Sequence, residues 1–246
     1  MAKAVKLAII GAGSAQFSID MVRDICLAED LAGSEVALMD IDEGRLEMVL
    51  EVARRYAAEM GADLRIEKTM EREVALRDAD FVLNTAMPGG HDLTETERSL
   101  TERHGYYRGV HPANRYRCLD LMMEVARDIE RLCPEAWLIQ SGNPVFDGCT
   151  LMTRRTGVKV IGLCHGHYGY HEIVRMLGLE LEHVTFEAPG FNHCIWMTHF
   201  RYKGEDAYPL IDRWIDEESE KYWETYHPHY GQTQMSPAAV HMYKFY

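Results

Sequence analysis

Lys6-Leu7-Ala8-Ile9-Ile10-Gly11-Ala12-Gly13-Ser14 is the stretch on which the fold turns. An apolar run stops at two glycines spaced by one residue, and a helical pattern follows. Ala15 to Glu29 carries apolar residues at Phe17, Ile19, Met21, Val22, Ile25 and Cys26, a helix-like stripe, with Ser14 placed to cap it. A strand that breaks into a helix over glycines is the arrangement that receives a dinucleotide pyrophosphate. The first glycine permits the tight turn, the second lets the backbone approach the phosphates, and the helix N-terminus supplies N–H groups. The third position of the strict fingerprint is Gln16, not glycine. A tight strand-helix turn with no ligand is the alternative.

Working outward, Gly33-Ser34 is a turn and Glu35 to Met39 is a buried strand ending in Asp40-Ile41-Asp42. An acid at the end of the second strand is where a ribose hydroxyl is bound, and a carboxylate there favours NAD over NADP by repelling a 2′-phosphate. Asp40 is the first candidate and Asp42 the weaker one. A helix over Glu43 to Met60 stops at Gly61. Strands are predicted at Leu64–Glu67, Phe81–Ala86, Ala136–Gln140 and Lys159–Cys164, and helices at Thr94–His104, Arg115–Leu132 and Val145–Arg155. Strand and helix therefore alternate to about residue 165, which predicts a Rossmann-type, doubly wound, mostly parallel α/β sheet. Past Val184 the character changes. Val184–Ala188 and Cys194–Tyr202 look like aromatic-rich strands, Tyr208–Trp223 like one amphipathic helix, and Ser236-Pro237 like the start of another. We expect a nucleotide-binding domain over residues 1–188 and the start of an α+β substrate domain over 189–246.

Ligands of open α/β sheets lie outside the carboxyl ends of the strands. Those ends carry Asn84-Thr85, Asn143-Pro144 and Cys164-His165, all polar groups in loops. Asn143 is equally a turn residue before proline, and Cys164 equally a small buried hydrophobe. Gly190-Phe191-Asn192-His193-Cys194-Ile195-Trp196 sets a polar pair between apolar neighbours. A hydrogen-bonded core histidine would look the same. A thiolate from Cys164 and an imidazole from His193 could bind a divalent transition metal such as manganese, with substrate oxygens completing the shell. His165, His167, His171, His227 and His229 show no ligand spacing.

Composition narrows the function classes. The net charge of −13 argues against a nucleic-acid or anionic-membrane surface. No apolar run approaches the roughly 18 residues of a membrane span, and residues 1–5 show no signal-peptide pattern. The six cysteines are scattered without a CxxC pair, as in reduced cytoplasmic proteins.

With these residues assembled, the chain resembles family 4 glycoside hydrolases, in particular their α-glucosidase branch. The resemblance rests on Ile10-Gly11-Ala12-Gly13-Ser14, Leu38-Met39-Asp40-Ile41-Asp42, Asn84-Thr85-Ala86, Gly105-Tyr106-Tyr107-Arg108-Gly109, Asn143-Pro144, Gly162-Leu163-Cys164-His165-Gly166-His167-Tyr168-Gly169 and Gly190-Phe191-Asn192-His193. It implies an enzyme with NAD and Mn2+. NAD would lie on Gly11, Gly13, Ser14, Asp40, Asn84 and Thr85. The metal would sit on Cys164 and His193, and the sugar on Asn143, His165 and Asn192. The implied reaction oxidises the glycoside at C3, removes the C2 proton, eliminates the C1 substituent, adds water and returns the hydride, outside the usual two-carboxylate scheme. The resemblance further implies a small glycoside as substrate, a cytoplasmic homo-oligomer, and, through His165 after the cysteine, an unphosphorylated sugar.

The family's leaving-group acid belongs in a longer stretch after Gly109, where this chain has only Val110-His111-Pro112-Ala113, and its C2 base belongs a few residues past Tyr246. No acid or base is therefore assigned, Asp120 included. We expect the chain to be part of a polypeptide roughly twice as long, with a loop missing near residues 109–114. Two other functions fit the nucleotide loop: a dehydrogenase of the lactate or malate kind, and a non-catalytic NAD-binding protein.

Overall fold

The computed structural model describes residues 4–105, 114–164, 169–191 and 194–225. Two compact units divide the chain, Met1–Leu163 and Cys164–Tyr246.

In the first unit, β1 (Lys6–Ile10), β2 (Ser34–Met39), β3 (Leu64–Thr69), β4 (Phe81–Asn84), β5 (Trp137–Gln140) and β6 (Lys159–Gly162) form one sheet in the order β3-β2-β1-β4-β5-β6. Every pairing is parallel. Helices α1 (Ala15–Leu27), α2 (Glu43–Met60), α3 (Arg72–Leu76), α4 (Gly90–Arg103), α5 (Asn114–Leu132) and α6 (Val145–Arg155) connect the strands. Side chains on a strand alternate between its faces, and both faces are used. Ile9, Val36, Leu38 and Ile66 pack with Val22 of α1 and with Leu46, Val49, Leu50 and Ala53 of α2. Ala8, Ile10, Met39, Val82 and Leu138 pack with Leu76 of α3, Met122, Val125 and Ile129 of α5, and Met152 of α6. This two-sided burial is why β1 and β2 are largely apolar runs, whereas the edge strand β3 alternates, with Arg65 and Glu67 exposed. The chain winds outward from β1 to β3 and then from β4 to β6, so its direction reverses at the β1–β4 pair. That reversal opens the ligand crevice of a doubly wound sheet.

In the second unit, β7 (Val184–Glu187), β10 (His199–Tyr202) and β11 (Glu205–Asp206) make an antiparallel sheet in the order β11-β10-β7. The short strands β8 (Gly190–Phe191) and β9 (Cys194–Ile195) pair antiparallel. With α7 (Gly169–Met176) and α8 (Tyr208–Glu217), the three-stranded sheet encloses a core of Ile173, Val174, Met197, Phe200, Ile211 and Ile215.

Several boundaries differ from expectation. The segment Tyr208–Trp223 is not one helix. It breaks at Glu218, between α8 and α9 (Ser219–Thr225), where the backbone leaves helical geometry at φ −124°, ψ −18°. The stretch Cys194–Tyr202 is likewise two strands, β9 and β10. Helix α4 starts earlier than Thr94, at Gly90, because Gly89 adopts φ +80° at its N-cap. Helices α3 and α7 were not predicted, being one to two turns long with little room for a periodic stripe. The helix expected from Ser236 lies outside the described residues.

Candidate functional site at the carboxyl edge of the sheet

The crevice begins at Gly11, which follows β1 with φ +88°. A Cβ there would stand 2.6 Å from the backbone N and Cα of Ala86, the second residue past β4. Glycine is therefore required twice over, by the left-handed backbone and by the close passage of the neighbouring loop. Thr85 fastens that passage. Its amide donates to the Ile10 carbonyl at 2.9 Å, and its hydroxyl lies 3.1 Å from the Ile10 oxygen and 3.3 Å from that of Gly11.

Gly13 has a different partner. Its amide donates to Asp40 Oδ2 at 2.7 Å, and a Cβ on it would stand 2.8 Å from the Asp40 carboxylate carbon. Asp40 Oδ1 accepts from the Asp42 amide at 3.0 Å. The half-buried carboxylate is thus anchored by one backbone donor per oxygen, and each oxygen keeps a further lone pair. Asp42 is committed elsewhere. It caps α2, accepting from the Arg45 amide at 3.0 Å.

Ser14 holds the N-cap position of α1, but its side chain makes no capping hydrogen bond, and the first turn has no acid. The opening N–H groups of this 13-residue helix are thus not covered by a cap, and the positive end of its dipole faces the crevice. Gln16, where the strict fingerprint has glycine, is exposed. Ser18 is a feature that the sequence reading missed. Its buried hydroxyl donates to the Ala12 carbonyl at 2.8 Å and ties the loop to the helix. A serine inside an apolar stripe was the available signal. An uncapped helix start, loop positions held to glycine and an anchored carboxylate fit a dinucleotide.

Asn84 and Gln140 close strands β4 and β5 as register partners, and both side chains are fully buried. Asn84 Nδ2 donates to Gln140 Oε1 at 2.9 Å, and Asn84 Oδ1 accepts from the Ala86 amide at 3.2 Å. Gln140 Nε2 donates to the Gly142 carbonyl at 2.7 Å. Asn143 follows, exposed, on a cis peptide to Pro144.

Cys164 is half-buried at the start of the second unit. Burial pushes up the thiols of Cys118, Cys133 and Cys149. Gly190, at φ +142°, begins the β8–β9 hairpin, and a Cβ on it would stand 2.3 Å from the Cys194 carbonyl oxygen. Asn192 and His193, between β8 and β9 in sequence, lie outside the described residues, as does His165. Among the described residues no group of three or more His, Cys, Asp and Glu side chains is gathered for a metal. No helix among them is long and apolar enough to cross a membrane.

With the fold and crevice established, comparison with known proteins is decisive for the family. The profile described as "Family 4 glycosyl hydrolase" matches residues 6–180, and that of the "Family 4 glycosyl hydrolase C-terminal domain" matches residues 188–246. The chain belongs to family 4 of the glycosyl hydrolases. This family 4 chain is 30% identical over 217 residues to the α-galactosidase of Bacillus subtilis (strain 168), covering 85% of this chain and 50% of that protein. It is 29% identical over 217 residues to the α-glucosidase of Erwinia rhapontici, covering 83% of this chain and 48% of that protein. A 6-phospho-α-glucosidase from gut microorganisms, solved in complex with NAD and Mn2+, shares the fold with a TM-score of 0.75 at 20% identity, covering 87% of this chain and 52% of that one. The chain spans about half the length of the curated relatives it matches.

Proposed function

We propose that the protein is an NAD- and Mn2+-dependent glycosidase acting on unphosphorylated α-glucosides. The observation that carries the reading is the Asp40 carboxylate fastened under Gly13 beside the uncapped start of α1, at the reversal point of the sheet. Family 4 membership and the family 4 structure solved with NAD and Mn2+ support it.

In this reading the first-turn amides of α1 and the Gly11–Ser14 loop hold the pyrophosphate. Asp40 accepts from the adenosine ribose hydroxyls with its free lone pairs and repels a 2′-phosphate. Asn84 and Thr85 serve the cofactor from behind, by shaping the loop that lies against Gly11. Asn143, Asn192 and His165 hydrogen-bond the sugar, and Cys164 with His193 holds the metal, with substrate oxygens completing its shell. The dinucleotide supplies reversible hydride acceptance, and the metal supplies Lewis-acid stabilisation of developing negative charge. The functional division is placed between residues 188 and 189, with the nucleotide residues before it and Asn192 and His193 after it.

The test is hydrolysis of nitrophenyl α-glucoside, α-galactoside and 6-phospho-α-glucoside, with NAD+ and Mn2+ varied independently. Cleavage of the α-glucoside that needs both, without net NADH, is expected. Cleavage surviving complete removal of both would overturn the cofactor reading. Preference for the galactoside or the phosphosugar would overturn the substrate. Build-up of NADH with a hydroxy acid would instead support a lactate- or malate-type dehydrogenase. Cys164→Ser should raise the Mn2+ concentration for half-maximal activity at least tenfold, because an alcohol replaces the soft thiolate ligand.

A further inference from the structure

Gln140 is a fully buried polar side chain at the end of an otherwise apolar strand, and no role in cofactor or sugar binding explains it. Its amide is the middle of a continuous relay. The Gly142 carbonyl accepts from Gln140 Nε2, Gln140 Oε1 accepts from Asn84 Nδ2, and Asn84 Oδ1 accepts from the Ala86 amide. The Asn84 backbone carbonyl also accepts from the amides of Ser141 and Gly142, at 3.0 and 2.8 Å, and the Gln140 carbonyl accepts from the Leu163 amide at 2.9 Å. Ala86 is pressed from both sides. A Cβ on Gly11 would stand 2.6 Å from its backbone, and one on Gly142 would stand 3.1 Å from its carbonyl oxygen. The nucleotide loop, the loop after β4 and the loop that presents Asn143 are therefore one packed stack.

Two buried amides are costly unless all their groups are matched. Apolar residues at both positions would have filled the same space without that demand. What an apolar pair cannot do is fix the direction of two loops through hydrogen bonds at defined angles. The geometry points to Gln140 as a positioning residue: its amide, through Asn84, holds the Ala86 loop against Gly11 and sets the height of Asn143 over the nucleotide loop. The inference rests on the proposed nucleotide reading. It predicts that the amide of Gln140, and not merely its volume, contributes to NAD+ affinity and to sugar recognition.

The experiment is calorimetric titration of NAD+ into the protein without glycoside, paired with thermal unfolding. Gln140→Met keeps the length and nearly the volume and removes only the amide. It should weaken NAD+ binding about tenfold or more and, in the glycosidase assay, lower kcat more than it raises KM for the glycoside. Gln140→Glu at pH 5.5, where a buried carboxylic acid is neutral, keeps one acceptor for Asn84 and one donor for Gly142. It should bind NAD+ within about threefold of the native protein. Should Gln140→Met fail to fold, Asn84→Leu, of similar size, removes both links that the Asn84 side chain makes, and the same tenfold loss is expected. Ser219→Ala, which removes a buried hydroxyl donating to Ile215 in the second unit, should lower the unfolding temperature without changing NAD+ affinity. Folded Gln140→Met and Asn84→Leu variants that bind NAD+ within twofold of native would overturn the inference while leaving the nucleotide reading intact. A native protein that binds no NAD+ would overturn both.

Discussion

A Cβ added at Gly13 would stand 2.8 Å from the carboxylate carbon and Oδ2 of Asp40, well inside ordinary contact. The glycine is therefore required by a neighbouring side chain as much as by any phosphate, which the spacing of the loop alone does not reveal. Gly13→Ala must push out the carboxylate that the Gly13 amide binds. The expected results are a loss of about 1–3 kcal/mol in stability from overpacking and at least a tenfold loss of NAD+ affinity, measured by urea unfolding and calorimetry. Unchanged affinity would show that Asp40 plays no part in nucleotide binding. Asp40→Asn asks a narrower question. It keeps an acceptor for the Gly13 amide and removes the charge that repels a 2′-phosphate. The preference for NAD+ over NADP+ should fall about tenfold or more, read as the ratio of the two dissociation constants. A ratio that does not move would assign the discrimination to another residue.

At the scale of elements, the parts legible in sequence are those whose signal is periodic or punctuated. Helix α2 runs from Glu43 to Met60 as expected because Asp42 caps it and Gly61, at φ +65°, ends it with a left-handed residue. Strands β1 and β2 are legible because burial on two faces makes them largely apolar runs. Helix α3 was not, having too few residues for a stripe, yet the structure ties it firmly to α5. Arg72 of α3 donates to Asp128 at 2.8 Å, Arg131 donates to Asp128 at 2.9 Å, and Arg131 also reaches Glu73 at 2.6 Å. Burial pushes the Asp128 carboxyl up, but the hydrogen bonds and charges of Arg131 and Arg72 outweigh it and hold the group below the ordinary aspartate value. A carboxyl depressed on folding stabilises the protein fully above its unfolded value of about 3.9 and loses that contribution as pH falls through the folded value. Urea midpoints at pH 6 and pH 3 should therefore differ less in Asp128→Asn than in the native protein. An equal drop in both would show that this network contributes nothing to acid sensitivity.

Over the whole molecule, the order β3-β2-β1-β4-β5-β6 is one of the doubly wound arrangements that strand–helix alternation predicts. The fold class was thus legible from the opening stretch outward. The inward-facing chemistry was not. Gln140 and Ser18 act through hydrogen bonds across elements, and no local pattern marks such a residue as anything but a misplaced polar group. The second unit was legible only in outline, because strands of two residues such as β8 and β9 carry almost no periodicity. In the proposed reading the cofactor acts at one edge of the first unit. The segments that converge at the sheet reversal are Gly11–Ser14, Asp40–Asp42, Asn84–Ala86 and Ser141–Asn143, and all lie at the carboxyl ends of strands. The opposite ends of the same strands, Lys6, Ser34, Phe81 and Trp137, lie a strand length away, roughly 10–20 Å at about 3.3 Å per residue. Hydrogen exchange with and without NAD+ should therefore show protection concentrated in those four segments and little change at residues 4–6, 33–35 and 78–81. Amides exchange through local openings that become rarer as local stability rises, so a ligand that binds only the carboxyl edge slows that edge first. Protection spread evenly over both edges would indicate global stabilisation alone, and protection confined to the amino edge would displace the site from the crevice.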